Sequence, residues 1–392
     1  MAERIKSIGV MTPNYPSPRF IERGAFIEAL VNQWQEEGVA VNVVAPISWP
    51  NWIRGLRRPR QSVAIAGDRV IAPHYPTFSA RSVGGIDLGR LSEWSFNRAA
   101  VRASLKAPIA DVYYGQFLFK GGTAAVRAGK ALGRPAFADL GESRLLEGMS
   151  GEEQARAAAV VAGLAGAVCV SERLRDEAIA LGAKPERVLL APNRPDPRRF
   201  RPLDRRECRR TLKLPDDAVI VVFTGYFTER KGPLRVLAAL ERLEKPVLGV
   251  FLGRGPQAPS GARVLHAGPV SNSLVPLWLN AADLMMLPTL AEGHCNAIAE
   301  ALACALPVIT SDISDVRWQV PAEGSILVDP RDVGALASAL AELVDDPERL
   351  ARMRDKLRTR LADTSAQSRG RVILDWMNTV VAAGEGSAPK GR

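Results

Sequence analysis

The sequence predicts an α/β protein of two doubly wound domains, each a parallel sheet with helices on both faces. Three observations predict it. The chain of 392 residues is longer than a single core of ordinary size accommodates. Strand-like apolar runs alternate with helix-like segments through both halves. A Pro/Arg-rich link, RPDPRRFRPLDRR, separates the two series. The expected domains are residues 1–195 and 196–370, with 371–392 a terminal helix returning to the first domain and ending in a frayed tail. Two such domains facing a central cleft would place the ligand in that cleft.

In the first half, Ile5–Met11 reads as a strand. Ala25–Glu37 puts Phe26, Ile27, Leu30, Val31 and Trp34 on one helical face, Gly38 ends it, and Val39–Ala45 is the next strand. Gly24 sits at the mouth of that helix, either as a close backbone approach to a phosphate or as an ordinary loop glycine. Next, ISWPNWIRGLRRPRQ interleaves Trp49, Trp52, Ile53 and Leu56 with Arg54, Arg57, Arg58 and Arg60, and Pro50 and Pro59 keep any helix short. Trp49–Arg60 is readable as a contact with an anionic membrane surface, as a solvated loop, or as a nucleic-acid contact; no recognition motif accompanies the last. A helix near Leu91–Leu105, the strand ADVYYG, a helix from Thr123 and a strand over Arg134–Leu140 follow. VVAGLAGAVCVS passes from helix to strand, ERLRDEAIALG is a helix, and RVLLAPN closes the half.

The second half repeats the alternation: strand AVIVVFTG, helix Pro233–Leu243, strands VLGVFLGRG and RVLHAG, helix Leu274–Ala281. Its centre is Asp283–Asp312. There Leu284–Leu287 is a buried strand, Glu292-Gly293 an acidic turn, Asn296–Leu306 a helix stopped by Pro307, and Pro307–Thr310 another strand. In such a βαβ unit the ligand lies where the strand's carboxyl end meets the helix N-terminus, whose N–H groups and partial positive charge suit a phosphate. Glu292 and Glu300 flank that point, with seven residues between them. A doubly acidic loop without a metal-ligand cluster fits something neutral and hydroxylated beside a phosphate, as in a sugar nucleotide. Asp332–Asp363 reads as helical. Arg371–Val381 is amphipathic, with Ile373, Leu374, Trp376 and Met377 to bury, and Gly384–Arg392 is the expected tail.

Composition narrows the class. Four cysteines without CxxC spacing and three histidines argue against a disulfide framework or structural zinc. No run approaches the ~20 apolar residues of a membrane span, and the start lacks a secretory signal's apolar core. A cytoplasmic location is expected, with a peripheral position at the inner face of the cell membrane if Trp49–Arg60 meets lipid. The formal net charge of +10 is uneven: Trp49–Arg134 holds 14 Lys/Arg against 4 Asp/Glu, so the rest of the chain is near neutral.

Several of these pieces together resemble the retaining family-4 glycosyltransferases (glycosyl transferases group 1) of the GT-B fold, two Rossmann-like domains around a cleft. APNRPDPRRFRP resembles the family's inter-domain segment, FTGYFTERKGP its first glycine turn with Lys-Gly, and FLGRGP its second. EGHCNAIAEALACALPVITSD resembles the donor block, and Tyr15–Pro46 the N-terminal pattern. The pieces cover most of Ile5–Ser325 in the family's order.

The resemblance implies a nucleotide diphosphate sugar as co-substrate, with no metal or other cofactor. It implies that Gly225, Arg230 and Lys231 lie at the diphosphate, with Lys231 as a point charge. Gly293, His294, Cys295, Asn296, Ala297 and Ile298 would offer the helix N-terminus to the same group. Glu292 would bind the transferred sugar, Glu300 the ribose hydroxyls, and Gly253 and Arg254 the side of the base. The chain departs from the pattern in places. Tyr226 stands where the family has Arg, Arg194 and Ala305 where it has Gly, and Gly141 and Gln116 where relatives carry His. Asp139 and Glu142 are then the nearest candidates for an acceptor contact or base. The expected function is retaining transfer of a sugar to a hydroxyl acceptor, a lipid-linked or cell-envelope glycan intermediate. The alternative is a catalytically weak sugar-nucleotide binder or partner subunit.

Overall fold

The computed structural model describes residues 4–17, 24–56, 69–78, 82–83, 86–142, 145–363 and 367–385. The chain forms two units, Met1–Pro192 with Gln367–Arg392 and Asn193–Ala366. The divisions fall slightly before the expected boundaries at 195 and 370.

The first unit is built on seven parallel strands, in the order Val188–Leu190, Gly166–Cys169, Ala136–Leu140, Val112–Gln116, Ser7–Met11, Ala40–Val44, Arg69–Ile71. The central strands Val112–Gln116 and Ala136–Leu140 are buried along their whole length, as strands covered on both faces must be. Chain order reverses between Ser7–Met11 and Val112–Gln116, which makes the carboxyl ends of those two strands the switch point of the sheet. The helix Ala25–Glu36 buries Trp34, whose ring meets Tyr114 edge-on at 5.0 Å and whose indole N–H donates to the Gly370 carbonyl at 2.9 Å. Gly370 introduces the last helix, Arg369–Glu385, and Ile373, Leu374, Met377 and Val380 join the cluster around Trp34. The terminal helix is therefore part of the first unit.

Some boundaries differ from the sequence expectation for local reasons. The helix expected near Leu91 starts at Leu88, because the Asp87 carboxylate accepts the Gly89 and Arg90 N–H groups. The Trp/Arg segment forms a helix, Trp49–Leu56, and Arg57, Arg58 and Arg60 lie outside the described residues. So do residues 386–392 of the expected tail. Phe117–Gly122, between the expected strand and the helix from Thr123, winds as a π-helical turn entered through Phe117 at a φ of 64°.

The second unit is a six-stranded parallel sheet, in the order Val264–Gly268, Val247–Leu252, Val219–Thr224, Leu284–Leu287, Val308–Ser311, Ser325–Val328. Its switch point lies between Val219–Thr224 and Leu284–Leu287. Asp283, which opens the central stretch, anchors the opposite end of the sheet. Its carboxylate accepts from the Arg209 guanidinium at 2.7 Å and the Ile220 N–H at 2.7 Å, and it pairs with Arg205. Arg209 is buried, and it also donates to the carbonyls of Ala281, Asp216 and Ala218, so no polar atom of this cluster depends on water.

Two expected helices change shape. Asp332–Asp363 divides into Val333–Asp345 and Pro347–Asp363, since Pro347 cannot donate to the preceding turn. Asn296–Leu306 ends earlier, as Asn296–Ala303. Ala305 takes φ 53° there, and the Leu306 N–H returns to the Ala301 carbonyl at 3.0 Å. This closure is ordinarily made by glycine, so the alanine is placed against its steric preference.

Candidate functional site

The loops that leave the switch point of the second unit bring together residues distant in sequence. One follows Val219–Thr224 and carries Arg230 and Lys231; the other follows Leu284–Leu287 and carries Glu292. The Lys231 ammonium donates to Glu292 Oε1, and Thr289 Oγ1 donates to the same oxygen at 2.6 Å. Arg230 supports the arrangement from outside: its guanidinium donates to the Ala291 carbonyl at 2.6 Å and lies 3.5 Å from Glu292 Oε1. Its own carbonyl accepts the Leu290 N–H at 2.8 Å. Glu292 is buried and so is most of Lys231. Burial pulls the ammonium's pKa down, but Cys295 and Glu292 more than compensate, and Lys231 is held above its usual value. A buried ammonium is thus fixed beside a buried carboxylate at the mouth of the sheet.

The helix N-terminus beside them is partly occupied. Cys295 is the N-cap of Asn296–Ala303, and its N–H donates to Gln319 Oε1 at 3.0 Å while Gln319 Nε2 returns to its carbonyl at 2.7 Å. This pairing engages the Cys295 N–H that was expected to donate to a phosphate. Its sulfur lies 3.9 Å from Lys231 Nζ. Burial pushes the thiol up to about 11, against the pull of Lys231 and of the Ile298 and Ala297 N–H groups, so it is neutral at ordinary pH. Asn296 accepts from Asn193 Nδ2 at 2.9 Å, Ile298 packs into the core, and His294 sits against Trp318 with ring centroids 5.5 Å apart. One turn into the helix, Glu300 is raised to about 7 by burial, with Arg199 opposing.

The two glycine turns lie against each other. The Gly225 N–H donates to Leu252 and the Phe227 N–H to Arg254, at 2.9 and 2.8 Å. A Cβ on Gly253, at φ 156°, would stand 1.8 Å from the Gly225 carbonyl oxygen. Glycine at 253 is therefore demanded by this backbone contact, whatever ligand approaches. Gly24 has a similar local reason. At φ 67° its Cβ would meet the Asn14 carbonyl oxygen at 2.3 Å, which favours the loop-glycine alternative. Tyr226, in place of the family's Arg, points its ring outward at 54% exposure.

At the first unit's switch point the carboxylates are placed differently. Asp139 is buried, and its Oδ2 accepts from Arg369 at 2.9 Å and from the Tyr114 hydroxyl at 3.0 Å. Arg369 also donates to the Ala191 carbonyl at 2.9 Å. Through Oδ2, Asp139, an expected acceptor contact or base, ties the terminal helix to the sheet, while its Oδ1 has no hydrogen-bond partner among the described residues. Glu142 Oε1 accepts the Leu118 N–H of the π-helical turn at 2.5 Å, and its Oε2 has no partner among the described residues. Burial raises it to about 7 despite that bond. Gln116 is buried next to Gly141, where a Cβ would lie 3.5 Å from its side-chain nitrogen.

Thr289 and Gln319 are the functional candidates that sequence reading misses. Thr289 lies three residues before Glu292 and was legible as a possible orienter; Gln319 reaches Cys295 only through the fold. His266 stacks on Trp278 at 5.0 Å, as a structural strand-end residue would.

Among the described residues no helix is long and apolar enough to cross a membrane. Comparison with known proteins agrees with the geometry. The profile of a family described as a glycosyl transferase 4-like domain matches residues 24–194, and that of glycosyl transferases group 1 matches residues 218–346. D-inositol 3-phosphate glycosyltransferase 1 of Catenulispora acidiphila is 28% identical over 389 residues, covering 90% of each chain. Among solved structures, sucrose-phosphate synthase of Thermosynechococcus elongatus superposes with a TM-score of 0.68 at 17% identity, over 97% of this chain and 98% of that one. HepE of Anabaena, solved in complex with UDP and glucose, gives 0.67 at 16% identity, over 98% of this chain and 100% of that one. These two likenesses establish the GT-B fold.

Proposed function

Since the chain belongs to the group 1 glycosyl transferases, we propose that it moves a sugar from a nucleotide diphosphate sugar to a hydroxyl acceptor with retention at the anomeric carbon. The observation that carries this reading is the Lys231–Glu292–Thr289 cluster at the switch point of the second unit. A buried ammonium neutralises a diphosphate without metal, and a carboxylate already oriented by two donors is suited to sugar hydroxyls. In the reaction, the bond from the anomeric carbon to the diphosphate oxygen breaks and a bond to the acceptor oxygen forms on the same face. The acceptor's proton passes to the departing diphosphate. The protein's share is positioning and stabilisation of the leaving charge, each such contact contributing ~10²–10³ in rate.

For the acceptor, the reading is a lipid-linked or cell-envelope glycan intermediate. It is supported by the basic, Trp-bearing stretch Trp49–Arg60. The location in keeping with this is cytoplasmic, at the inner face of the membrane.

The test is nucleotide release from a panel of UDP-, GDP- and ADP-sugars, with a membrane lipid extract or D-inositol 3-phosphate as acceptor. Glu292→Gln is expected to cut turnover ~10²–10³-fold while the protein stays folded. Unchanged turnover in that variant removes Glu292 from the reaction. Tight donor binding without turnover under every condition favours the catalytically weak binder, to which Tyr226 and the occupied Asp139 would then contribute.

A further inference from the structure

The helix Leu88–Ser104 carries Trp94, Arg98 and Arg102 four residues apart, and Lys106 continues the row just past its end. Residues four apart share a helix face. Opposite that face runs the segment from Ile71 to Pro76. It is fastened to the helix by Ser95 Oγ donating to the Pro76 carbonyl at 2.6 Å, by the Phe78 N–H donating to Ser92 Oγ at 2.8 Å, and by the Tyr75–Phe96 ring contact at 5.4 Å. Between the two lies a cavity of about 550 Å³, within the size of small-ligand sites. Ile71, Pro73, Pro76, Ala99 and Ala103 give it apolar walls, and the cationic row gives it a basic edge.

The charge is unbalanced. Among the described residues no Asp or Glu lines the cavity. The helix's own acid, Glu93, is paired with Arg156 at 2.7 Å, and among the described residues no carboxylate is paired with Arg98, Arg102 or Lys106. Arg98 lies over the Trp94 ring, 5.4 Å from its centroid. A second observation points the same way. Every large apolar side chain that the first unit exposes among the described residues falls between Trp49 and Ile109, and Trp49, Ile53, Trp94 and Ile109 are more than half exposed. A free phosphate would have no use for these side chains. A bilayer surface accommodates both features, with cations at the lipid phosphates and indole rings at the headgroup level.

We infer that this cavity receives the phosphate-bearing headgroup of an anionic bilayer lipid, and that the first unit rests on the membrane by the basic, Trp94-bearing side of that cavity. Membrane seating here requires neither the transfer chemistry nor the arginines at 57–60, so it can fail or hold separately from the reaction.

The test is flotation of the full chain at low salt with vesicles of phosphatidylcholine, with and without phosphatidylglycerol. The protein is expected to float with the anionic vesicles only and to be released by salt. Arg98→Glu with Arg102→Glu should weaken binding on the order of 600-fold, at roughly fivefold for each of the four charge units changed, and leave the melting temperature and donor turnover with a soluble acceptor unchanged. Arg127→Glu with Lys130→Glu, the same charge change on the exposed face of the next helix, should leave most of the binding intact. Trp94→Ala should lose binding several-fold and blunt the shift in tryptophan emission. Equal loss in the two double variants would reduce the site to net charge and overturn the inference. So would equal flotation with neutral vesicles, or displacement of the vesicles by millimolar inorganic phosphate.

Discussion

The two units share a topology and differ in what they do with acidic groups at the switch point. In the second, Glu292 is held by Lys231 and Thr289 in an ion pair beside a hydroxyl. In the first, Asp139 is taken by Arg369 and Tyr114 inside the core, and Glu142 is raised to about 7 by burial. The partners of the carboxylates, more than the fold around them, set the two switch points apart.

The sharpest way to break this comparison is through Asp139. Asp139→Ala leaves the Arg369 guanidinium buried without its counter-charge, and a loss of about 3–5 kcal/mol in stability is expected, read by chemical denaturation. Activity per folded molecule should hardly change. A variant of native stability without activity would return Asp139 to the reaction.

Lys231→Met comes next. It removes the charge meant for the diphosphate and takes the lysine from Glu292, so turnover is expected to fall ~10²-fold with weaker donor binding in a melting-shift titration. Retained affinity for UDP or the other nucleotides would show that Lys231 serves only to orient Glu292.

Glu142 gives a pH signature. Its carboxyl ionises at about 7 in the folded chain, against an ordinary value of 4.5. Acceptor activation that needs the carboxylate should therefore rise as pH passes about 7. Glu142→Gln should flatten that limb and cost roughly tenfold at its plateau; an unaltered limb assigns it to another group.

The smallest effect is expected at Glu300. Its folded pKa is also raised to about 7, so between 4.5 and about 7 the folded state binds more proton than the unfolded chain. The stability this contributes is complete below the unfolded value and is lost as pH rises through the folded one. Glu300→Gln should flatten the decline of Tm across that window and raise the donor KM several-fold. An unchanged slope would place the carboxyl in a more open setting.

Much of this was legible in the chain. Asn296–Ala303, the acidic turn at Glu292-Gly293 and the alternation of strands and helices follow from local pattern, because a 3.6-residue or two-residue period and a stop at Pro or Gly need no knowledge of the rest. The order of the strands was legible only as a class. The pairing of Leu284–Leu287 with Val219–Thr224, which brings Lys231 to Glu292, depends on a crossover that sequence spacing does not encode. Glycine at 253 could be read as a ligand approach, and the structure gives it a backbone neighbour instead.

The sequence by itself determined the α/β class, the two-part organisation, the basic stretch and the acidic loop as the place to look. Tertiary structure decided the ionisation and access of the groups found there. Asp139 and Glu142 stand three positions apart in one short segment, yet one meets a guanidinium from the last helix and the other accepts from the Leu118 amide. The energy of a buried charge is fixed by its nearest opposite charge and by the water it loses. Both are properties of packed space, set by residues hundreds of positions away along the chain.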